Sequence, residues 1–289
     1  MYWLCINYLL NIFYIYEFIG DFLNKVSFLG PKGTFSHEAA SFISESLISY
    51  CSIPEVMQSV VSDECVKGVV PIENSIEGPV NLTLDSLVHD FDLNIVGEII
   101  IPISHNLLAP FDISIDDVTD AYSHSQALSQ CRYFLQKHNI TPHYTVSTAE
   151  AARKVAESRN GVAIGTLKAG EIYGLKVVAK NIQETLNNQT RFIILSKEST
   201  ISTSNDKTSI VFSLFDNNPG SLYNILGIFA KNNINLSKVE SRPSKEGLGK
   251  YLFFIDFEGH ICDKNINSIL EDLKSKTSFF KVLGSYPIF

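Results

Sequence analysis

The sequence predicts an α/β fold with two domains, and three observations support this prediction. Strand-like and helix-like patterns alternate from Val26 through residue 196, which is typical of α/β sheets. Residues 197–207, KESTISTSNDK, are polar, rich in Ser and Thr and without periodicity, so they indicate a linker. From residue 208 onward the predicted elements follow the order βαββαβ, which is the ferredoxin-like arrangement.

The first domain opens with a short apolar strand, VSFL, and a helix in which Ala39, Ile43 and Leu47 recur every four residues. The continuous apolar run VKGVVPI at 66–72 is typical of a strand buried in a parallel sheet. Apolar residues line one face of the helix after it: Val80, Leu84, Leu87, Val88 and Phe91.

The rest of the first domain continues the alternation. Residues 94–109, NIVGEIIIPISHNLLA, predict extended segments, and residues 120–138 predict a short strand, a polar corner and a helix. In STAEAARKVAES, Ser147 and Glu150 have the spacing of a capping box, which predicts a helix start. GVAIG then predicts a strand and TLKAGEIYG a helix.

In the second domain, TSIVFSLF predicts a strand and NPGSLYNILGIFAKNN a helix with Pro219 in its first turn. INLSKVESRP and KYLFFIDFEG predict two more strands, NINSILEDLKSK a helix and FKVLGSYP a final strand. The domain boundary is therefore predicted near residue 200.

Composition limits the classes of partner. The chain has 289 residues, a formal net charge of −8 and a pI near 5.4, which argues against nucleic acid or an anionic membrane as the main partner. The cysteines are odd in number and lack a CxxC pair, so they predict reduced thiols in a cytoplasmic protein. They are Cys5, Cys51, Cys65, Cys131 and Cys262.

Residues 1–25 form an apolar, aromatic segment with no Lys or Arg before Lys25. A secretory signal needs a basic start, and polar residues at Asn7, Asn11, Glu17 and Asp21 interrupt a membrane span. Three interpretations stay open: an upstream extension that is irrelevant to the fold, a packed helix and a membrane anchor.

Polar clusters occupy equivalent places, each after a predicted strand and before a helix. Ligands bind at the carboxyl ends of strands in open α/β sheets, and helix starts offer unpaired N–H groups to anions. The same residue types are also ordinary helix caps, so this pattern leaves both interpretations open. The clusters are Thr34-Phe35-Ser36, Glu73-Asn74-Ser75, Ser123-His124-Ser125-Gln126 and Ser147-Thr148-Ala149.

The run NQTRFIILS begins an apolar strand with Thr190 and Arg191. A buried arginine needs an anionic partner, because an unpaired buried charge costs several kcal/mol. Alternatively, both residues lie solvated at a strand edge.

Other chemistries lack their motifs. HEAAS at 37–41 has Ser41 where a zinc protease requires a second His. The sequence contains no GxGxxG, GxxxxGK[ST] or GxSxG pattern. His37, His105 and His124 have no paired metal-ligand spacing, and we expect structural or surface roles for them.

A set of motifs, in order from Val26 to Phe289, resembles the monofunctional prephenate dehydratase family. The motifs are GPKGTFSHEAA, GVVPIENSIEGPV, ISHNLL, SHSQALSQCR, STAEAA, AIGTLKAGEIYGL and NQTRF, with NPGSLYNIL and ESRP in the C-terminal part. The resemblance implies a catalytic domain at 26–199 with two lobes like a type II periplasmic binding protein. These lobes would comprise about 26–103 plus 191–197, and about 104–190. It also implies an ACT regulatory domain at 207–289.

The resemblance implies a carbon–oxygen lyase that converts prephenate to phenylpyruvate without metal or organic cofactor. It implies feedback by L-phenylalanine and a homodimer or homotetramer. No chorismate mutase helix precedes Val26, so no bifunctional activity is expected. Carried over by motif, the catalytic residues are Thr190, Arg191, Asn74, Ser123 and Gln130.

The substrate-binding and effector residues follow from the same motifs. The substrate-binding residues are Thr34, Phe35, Ser36, Glu73, Ser75, Gln126, Ser147, Thr148, Ala149 and Phe192. The L-phenylalanine site is Asn218, Pro219, Gly220, Ser221, Leu222, Glu240, Ser241, Arg242 and Pro243. The sequence departs from the family where Ser221-Leu222-Tyr223 replaces Ala-Leu-Val and where Ser125 replaces a proline.

Two other functions are compatible with the motifs. One is an arogenate dehydratase, which carries out the same chemistry on an amino-acid side chain. The other is a non-catalytic solute sensor, because the lobes share a binding-protein architecture.

Overall fold

The computed structural model describes residues 25–288 apart from Leu186, Asn217, Glu246 and Leu248. The predictions for the N-terminal segment, an extension, a helix or an anchor, lie outside the described residues. The chain divides into two compact units, Met1–Thr83 with Ile100–Phe192 and Leu84–Ile99 with Ile193–Phe289. These units group the residues differently from the predicted domains, whose boundary near residue 200 remains a prediction.

The elements are numbered in chain order. The strands are β1 Val26–Leu29, β2 Leu47–Tyr50, β3 Lys67–Asn74, β4 Gly78–Pro79, β5 Asn94–Pro102, β6 Asn106–Ala109, β7 Asp120–Ser123, β8 Thr141–Tyr144, β9 Val162–Gly165, β10 Lys176–Ala179, β11 Gln189–Ser196, β12 Asp206–Leu214, β13 Leu236–Pro243, β14 Tyr251–Glu258 and β15 Thr277–Pro287. The helices are α1 Phe35–Ser41, α2 Ile53–Val61, α3 Asn81–His89, α4 Ser125–Gln130, α5 Arg132–Lys137, α6 Thr148–Ser158, α7 Leu167–Tyr173, α8 Ser221–Lys231 and α9 Lys264–Ser275.

The first unit is built on two sheets. One has the order β2-β1-β3-β11-β5, with β4 paired to β3. Its strands β1, β2 and β3 run parallel. The apolar run predicted as a buried strand is β3, in which Val69 and Val70 are fully buried. The alternating strand and helix pattern is therefore an α/β fold, as predicted.

The second sheet of this unit has the order β10-β6-β9-β7-β8. Strand β7 pairs in parallel with β8 and β9, whereas β6 pairs antiparallel with β9 and β10. Its core contains Leu107, Ala121, Leu135, Val162 and Ile164. All strands of this sheet lie within residues 104–190.

The predicted helix through Ala39, Ile43 and Leu47 is too long. Helix α1 ends at Ser41, and Leu47 begins β2. Serine side chains explain the early end, because they bond to nearby backbone and compete with helix continuation. Ser41 Oγ donates to the His37 carbonyl at 2.8 Å, and the Ser46 N–H donates to Ser44 Oγ at 3.0 Å.

Helix α2 was not predicted, although its signals are present. Ser52 accepts a hydrogen bond from the Glu55 N–H as its N-cap. Ile53, Val56, Met57 and Val60 are buried, at the three- and four-residue spacing of an amphipathic helix.

Two other helix predictions need correction. Helix α8 begins at Ser221, with Gly220 as its N-cap at φ 89°, so Pro219 precedes the helix instead of lying in its first turn. The predicted helix of residues 125–138 is two short helices, because Cys131 leaves helical geometry at φ −111°, ψ 12°.

The second unit contains the βαββαβ segment. Its sheet has the order β13-β14-β12-β15, with antiparallel pairs throughout. Helices α8 and α9 bury Phe229 and Leu273 against Phe212 and Phe257. This is the predicted ferredoxin-like arrangement.

Residues 84–99 belong to the second unit through specific contacts. Lys207 Nζ donates to both Glu98 carboxylate oxygens at 2.8 and 3.0 Å, and both side chains are largely buried. Lys281 Nζ donates to the Leu87 carbonyl at 2.9 Å. Among the described residues, the structure has no helix with the length and apolar character that a membrane span needs.

Candidate active site

A cleft of about 410 Å³ lies in the first unit, where strands of both sheets end. Its volume falls in the range of pockets that hold small molecules. Its lining consists of Leu29, Gly30, Thr34, Phe35, Ser36, Cys51, Asn74, Ile103, His105, His124, Gln126, Ala127, Gln130, Val146, Ser147, Thr148, Asn188 and Thr190.

The cleft brings together most of the predicted polar residues from widely separated parts of the chain. The predicted residues in its lining are Thr34, Phe35, Ser36, Asn74, Gln126, Gln130, Ser147, Thr148 and Thr190. The predicted residues outside the lining are Glu73, Ser75, Ser123, Ala149, Arg191 and Phe192.

Three helices start at the cleft with a side-chain cap, and at two of them the cap is a hydroxyl group. Thr34 Oγ1 accepts a hydrogen bond from the His37 N–H at 3.3 Å at the start of α1. Ser147 Oγ accepts from the Glu150 N–H at 3.0 Å at the start of α6, as the capping-box spacing predicts. The first N–H groups of a helix have no intrahelical partner. These ends therefore direct donors and a partial positive charge toward an anion in the cleft.

Asn74 and Thr190 meet at the end of β3 and the start of β11. Asn74 Nδ2 donates to Thr190 Oγ1 at 2.9 Å. The opposite side of the amide is fixed by backbone, because Asn74 Oδ1 accepts from the N–H groups of Ile76 and Glu77 at 3.0 and 2.9 Å. Thr190 Oγ1 is therefore the acceptor in its bond with Asn74, and its own O–H proton is left to another partner.

A residue that the sequence did not single out connects this pair to the other sheet. Asn188 is 1% exposed and lines the cleft. Its Oδ1 accepts from Asn74 Nδ2 at 2.7 Å, and its Nδ2 donates to Gln130 Oε1 at 3.0 Å. The available signal was its position two residues before Thr190.

His105 also belongs to the cleft, although the sequence favoured a structural or surface role. Its Nε2 lies 3.0 Å from Gln130 Oε1, and its ring meets Phe35 edge to face at 5.8 Å. Burial lowers the pKa of His105, partly opposed by the Gln130 hydrogen bond. A buried imidazole with a lowered pKa is neutral near pH 7.

The other two histidines lie at helix starts. His124 lines the cleft, where its Nδ1 accepts from the Gln126 N–H at 3.4 Å and caps α4. His37 is buried beside Phe28, and its Nδ1 accepts from the Gly33 N–H at 3.2 Å. Burial, with Lys168 and Lys32 nearby, lowers the pKa of His37.

Arg191 is buried and paired with an anion, which was one of the two interpretations of the NQTRF run. Its side chain is 7% exposed, and its Nε lies 2.9 Å from Glu73 Oε1. Glu73 is the residue before Asn74 in β3, so the ion pair ties the two strands that carry Asn74 and Thr190. Arg191 therefore supports the cleft from outside its lining.

Ser123, which the motifs predict as a catalytic residue, lies outside the cleft lining, and its contact with substrate stays a prediction. Ser123 is fully buried, and its Oγ donates to the Ile164 carbonyl at 2.7 Å. The hydroxyl proton of Ser123 is therefore used in a hydrogen bond inside the second sheet. Ala149 and Phe192 are also buried in the interior. Ser75 Oγ accepts from the Gln189 N–H at 2.9 Å, so the Ser75 side chain holds the backbone beside Thr190.

The predicted effector residues lie in the second unit. Asn218, Pro219 and Gly220 form the turn before α8, which Ser221 and Leu222 begin. Strand β13 is one of the two edge strands of its sheet, and it ends with Glu240, Ser241, Arg242 and Pro243.

The charged members of this group have partners within the unit. Arg242 Nη2 lies 3.1 Å from Asp85 Oδ1, and Lys245 Nζ lies 2.9 Å from Asp85 Oδ2. Lys238 Nζ lies 3.3 Å from Glu240 Oε2. The sequence had not indicated Asp85 as a partner of the ESRP segment.

Comparison with known families identifies both parts of the chain. The sequence profile of the prephenate dehydratase family matches residues 26–200, and the ACT domain profile matches residues 208–275. The prephenate dehydratase of Methanocaldococcus jannaschii is 42% identical, over 92% of this chain and 100% of that protein.

Solved structures agree in fold. The prephenate dehydratase of Arthrobacter aurescens, in complex with L-Phe, is 32% identical and has a TM-score of 0.83, with 91% of this chain and 90% of that chain covered. A protein described as a novel type of quorum quenching acylase is 25% identical and also has a TM-score of 0.83, with 92% and 98% covered. Of the two descriptions, prephenate dehydratase is the one that the family profile and the 42% identical relative also carry. The chain belongs to the prephenate dehydratase family and carries an ACT domain.

Proposed function

We propose that the cleft converts prephenate to phenylpyruvate, with Thr190 as the hydrogen-bond donor to the departing hydroxyl group. The bond between the ring and its carboxylate breaks, and its electron pair moves into the ring as CO2 leaves. The ring C–OH bond breaks with its electrons on oxygen, and the hydroxide takes up a proton and leaves as water. The ring becomes aromatic, and this drives the reaction without a redox change.

The observation that carries this proposal is the direction of the Asn74–Thr190 hydrogen bond. Because Thr190 Oγ1 accepts from Asn74 Nδ2 at 2.9 Å, its proton is available to a group in the cleft. A donor that polarises the threonine oxygen also strengthens the threonine as a donor. A threonine hydroxyl is too weak an acid to lose its proton unaided near neutral pH. Thr190 therefore keeps its own proton and stabilises the developing hydroxide by a hydrogen bond. The proton that converts the hydroxide to water reaches it through neighbouring groups.

The cleft suits a dianion that is held by neutral donors. Its lining, among the described residues, contains no Lys or Arg. The starts of α1 and α6 supply N–H groups for the carboxylates, with each helix end worth about 0.3–1 kcal/mol to an anion. Gln130 and Gln126 supply amide donors in the same space.

Substitution of Thr190 tests this function. Thr190→Val keeps the shape of the side chain and removes the hydroxyl, and we expect kcat to fall about 10²–10³-fold, as for the loss of an oriented donor. Thr190→Ala should nearly abolish turnover with the fold intact. Thr190→Ser, the matched control, should retain kcat within about tenfold, because it keeps the donor. Near-normal phenylpyruvate formation by the Val variant would refute the assignment.

The substrate preference also needs measurement. Prephenate and arogenate differ in the side chain on the ring, and both would present the ring hydroxyl to Thr190. We propose prephenate, and the comparison of kcat/KM on both compounds decides. Because one fold can host several reactions, an acyl-amide hydrolysis assay should run in parallel. Binding of prephenate without turnover would favour a solute sensor.

We also propose feedback by L-phenylalanine at the ACT domain. The start of α8, with Gly220 at φ 89°, suits a ligand carboxylate. The profile match at 208–275 and the L-Phe complex of the Arthrobacter aurescens enzyme support this site. Phenylpyruvate formation that stays constant up to millimolar L-phenylalanine would exclude the regulation.

Two further properties are proposals of the same kind. We propose a homodimer or homotetramer, which sedimentation equilibrium measures. We propose a cytoplasmic location, supported by the free thiols at Cys51, Cys65, Cys131 and Cys262, because cytosolic proteins keep their cysteines reduced. Fractionation of cells checks it.

A further inference from the structure

The directions of the side-chain hydrogen bonds that lead from Asn74 to His105 follow from two backbone contacts. The N–H groups of Ile76 and Glu77 can only donate, so the Asn74 atom at 3.0 and 2.9 Å from them is its oxygen. The Asn74 nitrogen therefore faces the cleft side, where both its protons are used as donors. One of its acceptors is Thr190 Oγ1 and another is Asn188 Oδ1.

The orientation of the Asn188 amide fixes the orientation of the Gln130 amide. Because Asn74 donates to it, Asn188 must present oxygen to Asn74 and nitrogen to the opposite side. That nitrogen lies 3.0 Å from Gln130, whose facing atom must then be its oxygen. Asn188 is 1% exposed, so water has little access to replace either bond.

Gln130 and His105 complete the sequence of bonds. Gln130 Oε1 accepts from Asn188 Nδ2 and from His105 Nε2, each at 3.0 Å. His105 must therefore carry its proton on Nε2. Its Nδ1 is buried and makes no hydrogen bond within the described part of the chain. Because Oε1 faces both partners, the Gln130 NH2 group lies on the other side of the amide, and Gln130 lines the cleft.

We propose that Asn188 and His105 are positioning residues that make Gln130 present its NH2 group, and not its carbonyl oxygen, to the cleft. Asn188 sets the direction of Gln130 to match that of Asn74, and His105 holds Gln130 in that direction. An anionic substrate and a leaving hydroxide both require donors. A Gln130 amide turned by about 180° would present its oxygen to them and repel them. The inference rests on the proposed dehydratase function.

Asn188→Asp is the direct test, because it keeps the shape and replaces the donor by an acceptor. The introduced carboxylate would still accept from Asn74, but its second oxygen would face Gln130 Oε1 at about 3 Å and turn the Gln130 amide. We expect kcat to fall about 10²–10³-fold. Asn188→Ala only removes two bonds, while backbone still fixes Asn74 and His105 still holds Gln130. We expect about a tenfold loss of kcat for this variant.

This order of effects distinguishes positioning from packing. A residue that only fills space would tolerate the isosteric Asp better than Ala. In a Gln130→Ala background, Asn188→Asp should cost less than about threefold, because no amide remains to be turned and coupled residues are not additive. The inference is wrong if the losses of kcat from Gln130→Ala and Asn188→Asp multiply in the double variant. It is also wrong if Asn188→Asp loses less kcat than Asn188→Ala.

The His105 variants decide the question if Asn188→Asp does not fold. His105→Phe keeps a ring beside Phe35 and removes the donor, and we expect kcat/KM to fall about five- to tenfold. His105→Gln restores a donor and should recover to within about threefold. His143→Phe, the matched control at a side chain that is 40% exposed and paired with Asp120, should leave kcat unchanged.

The two proposals fail in different ways. If Thr190→Val retains full kcat, the proposed dehydratase mechanism is wrong. Equal kcat/KM for His105→Phe and His105→Gln removes only the positioning role.

Discussion

The ion pair between Glu73 and Arg191 predicts an asymmetric loss of stability. The Arg191 side chain is 7% exposed, whereas that of Glu73 is 35% exposed, and the two charges are 2.9 Å apart. Removal of Glu73 leaves a guanidinium where little water reaches it. Removal of Arg191 leaves a carboxylate that water can solvate. The perturbations are Glu73→Ala and Arg191→Met.

The magnitude follows from these exposures. Loss of one partner of a fully buried pair costs about 3–5 kcal/mol, and an exposed pair contributes about 0.2–1 kcal/mol. Because Glu73 is partly solvated, we expect Glu73→Ala to lower the free energy of unfolding by about 2–3 kcal/mol. Arg191→Met should lower it by about 1 kcal/mol, because the Met side chain retains much of the packing of the Arg stem.

Urea unfolding of both single variants and the double variant is the assay. The double variant should be more stable than Glu73→Ala alone, because it removes the buried charge with its partner. Glu73→Gln separates charge from packing, because it keeps the size of the side chain. If Glu73→Ala unfolds within about 0.5 kcal/mol of the wild type, or if Arg191→Met is the more damaging change, the reasoning is wrong.

Three more predictions concern stability. Burial lowers the pKa of His105 in the folded state, so below about pH 6.5 the unfolded chain binds a proton at His105 more readily than the folded chain does. The free energy of unfolding should therefore fall as the pH falls. We expect this fall to be steeper than in His105→Gln by up to about 1.4 kcal/mol per pH unit. Lys207→Met leaves the Glu98 carboxylate, 1% exposed, without its lysine and should cost about 3–5 kcal/mol, whereas Glu98→Leu with Lys207→Met should recover most of this. Gly284→Ala would place Cβ 2.2 Å from the Ile95 carbonyl oxygen and should cost more than about 3 kcal/mol. Urea midpoints at matched pH check all three, and unchanged midpoints would contradict them.

The alternation of apolar runs predicted the α/β fold because periodicity reports which face of an element is buried. The first helix shows the limit of this signal. Ala39, Ile43 and Leu47 have helical spacing, yet serine side chains end α1 at Ser41 and Leu47 begins a strand. Local hydrogen bonds decided the boundary, and hydropathy does not record them.

The strand ends predicted the location of the cleft but not the roles within it. Asn74 and Thr190 are 116 residues apart, and no local pattern indicates that one donates to the other. Asn188 and Ser123 illustrate what the residue types and their spacing leave open. Asn188 resembles an ordinary loop residue and yet bonds to both sides of the cleft, whereas Ser123 has a suitable residue type and directs its proton to Ile164.

The bond from Asn188 to Gln130 joins the two sheets of the first unit, since Asn188 precedes β11 and Gln130 ends α4. Its length of 3.0 Å leaves little tolerance, because a stretch of about 0.5 Å exceeds hydrogen-bonding distance. A relative shift of the sheets by less than the width of an atom would break this bond and leave the Gln130 amide held by His105 alone. Catalysis would then fall about tenfold, as expected for Asn188→Ala, while the cleft remains open to prephenate.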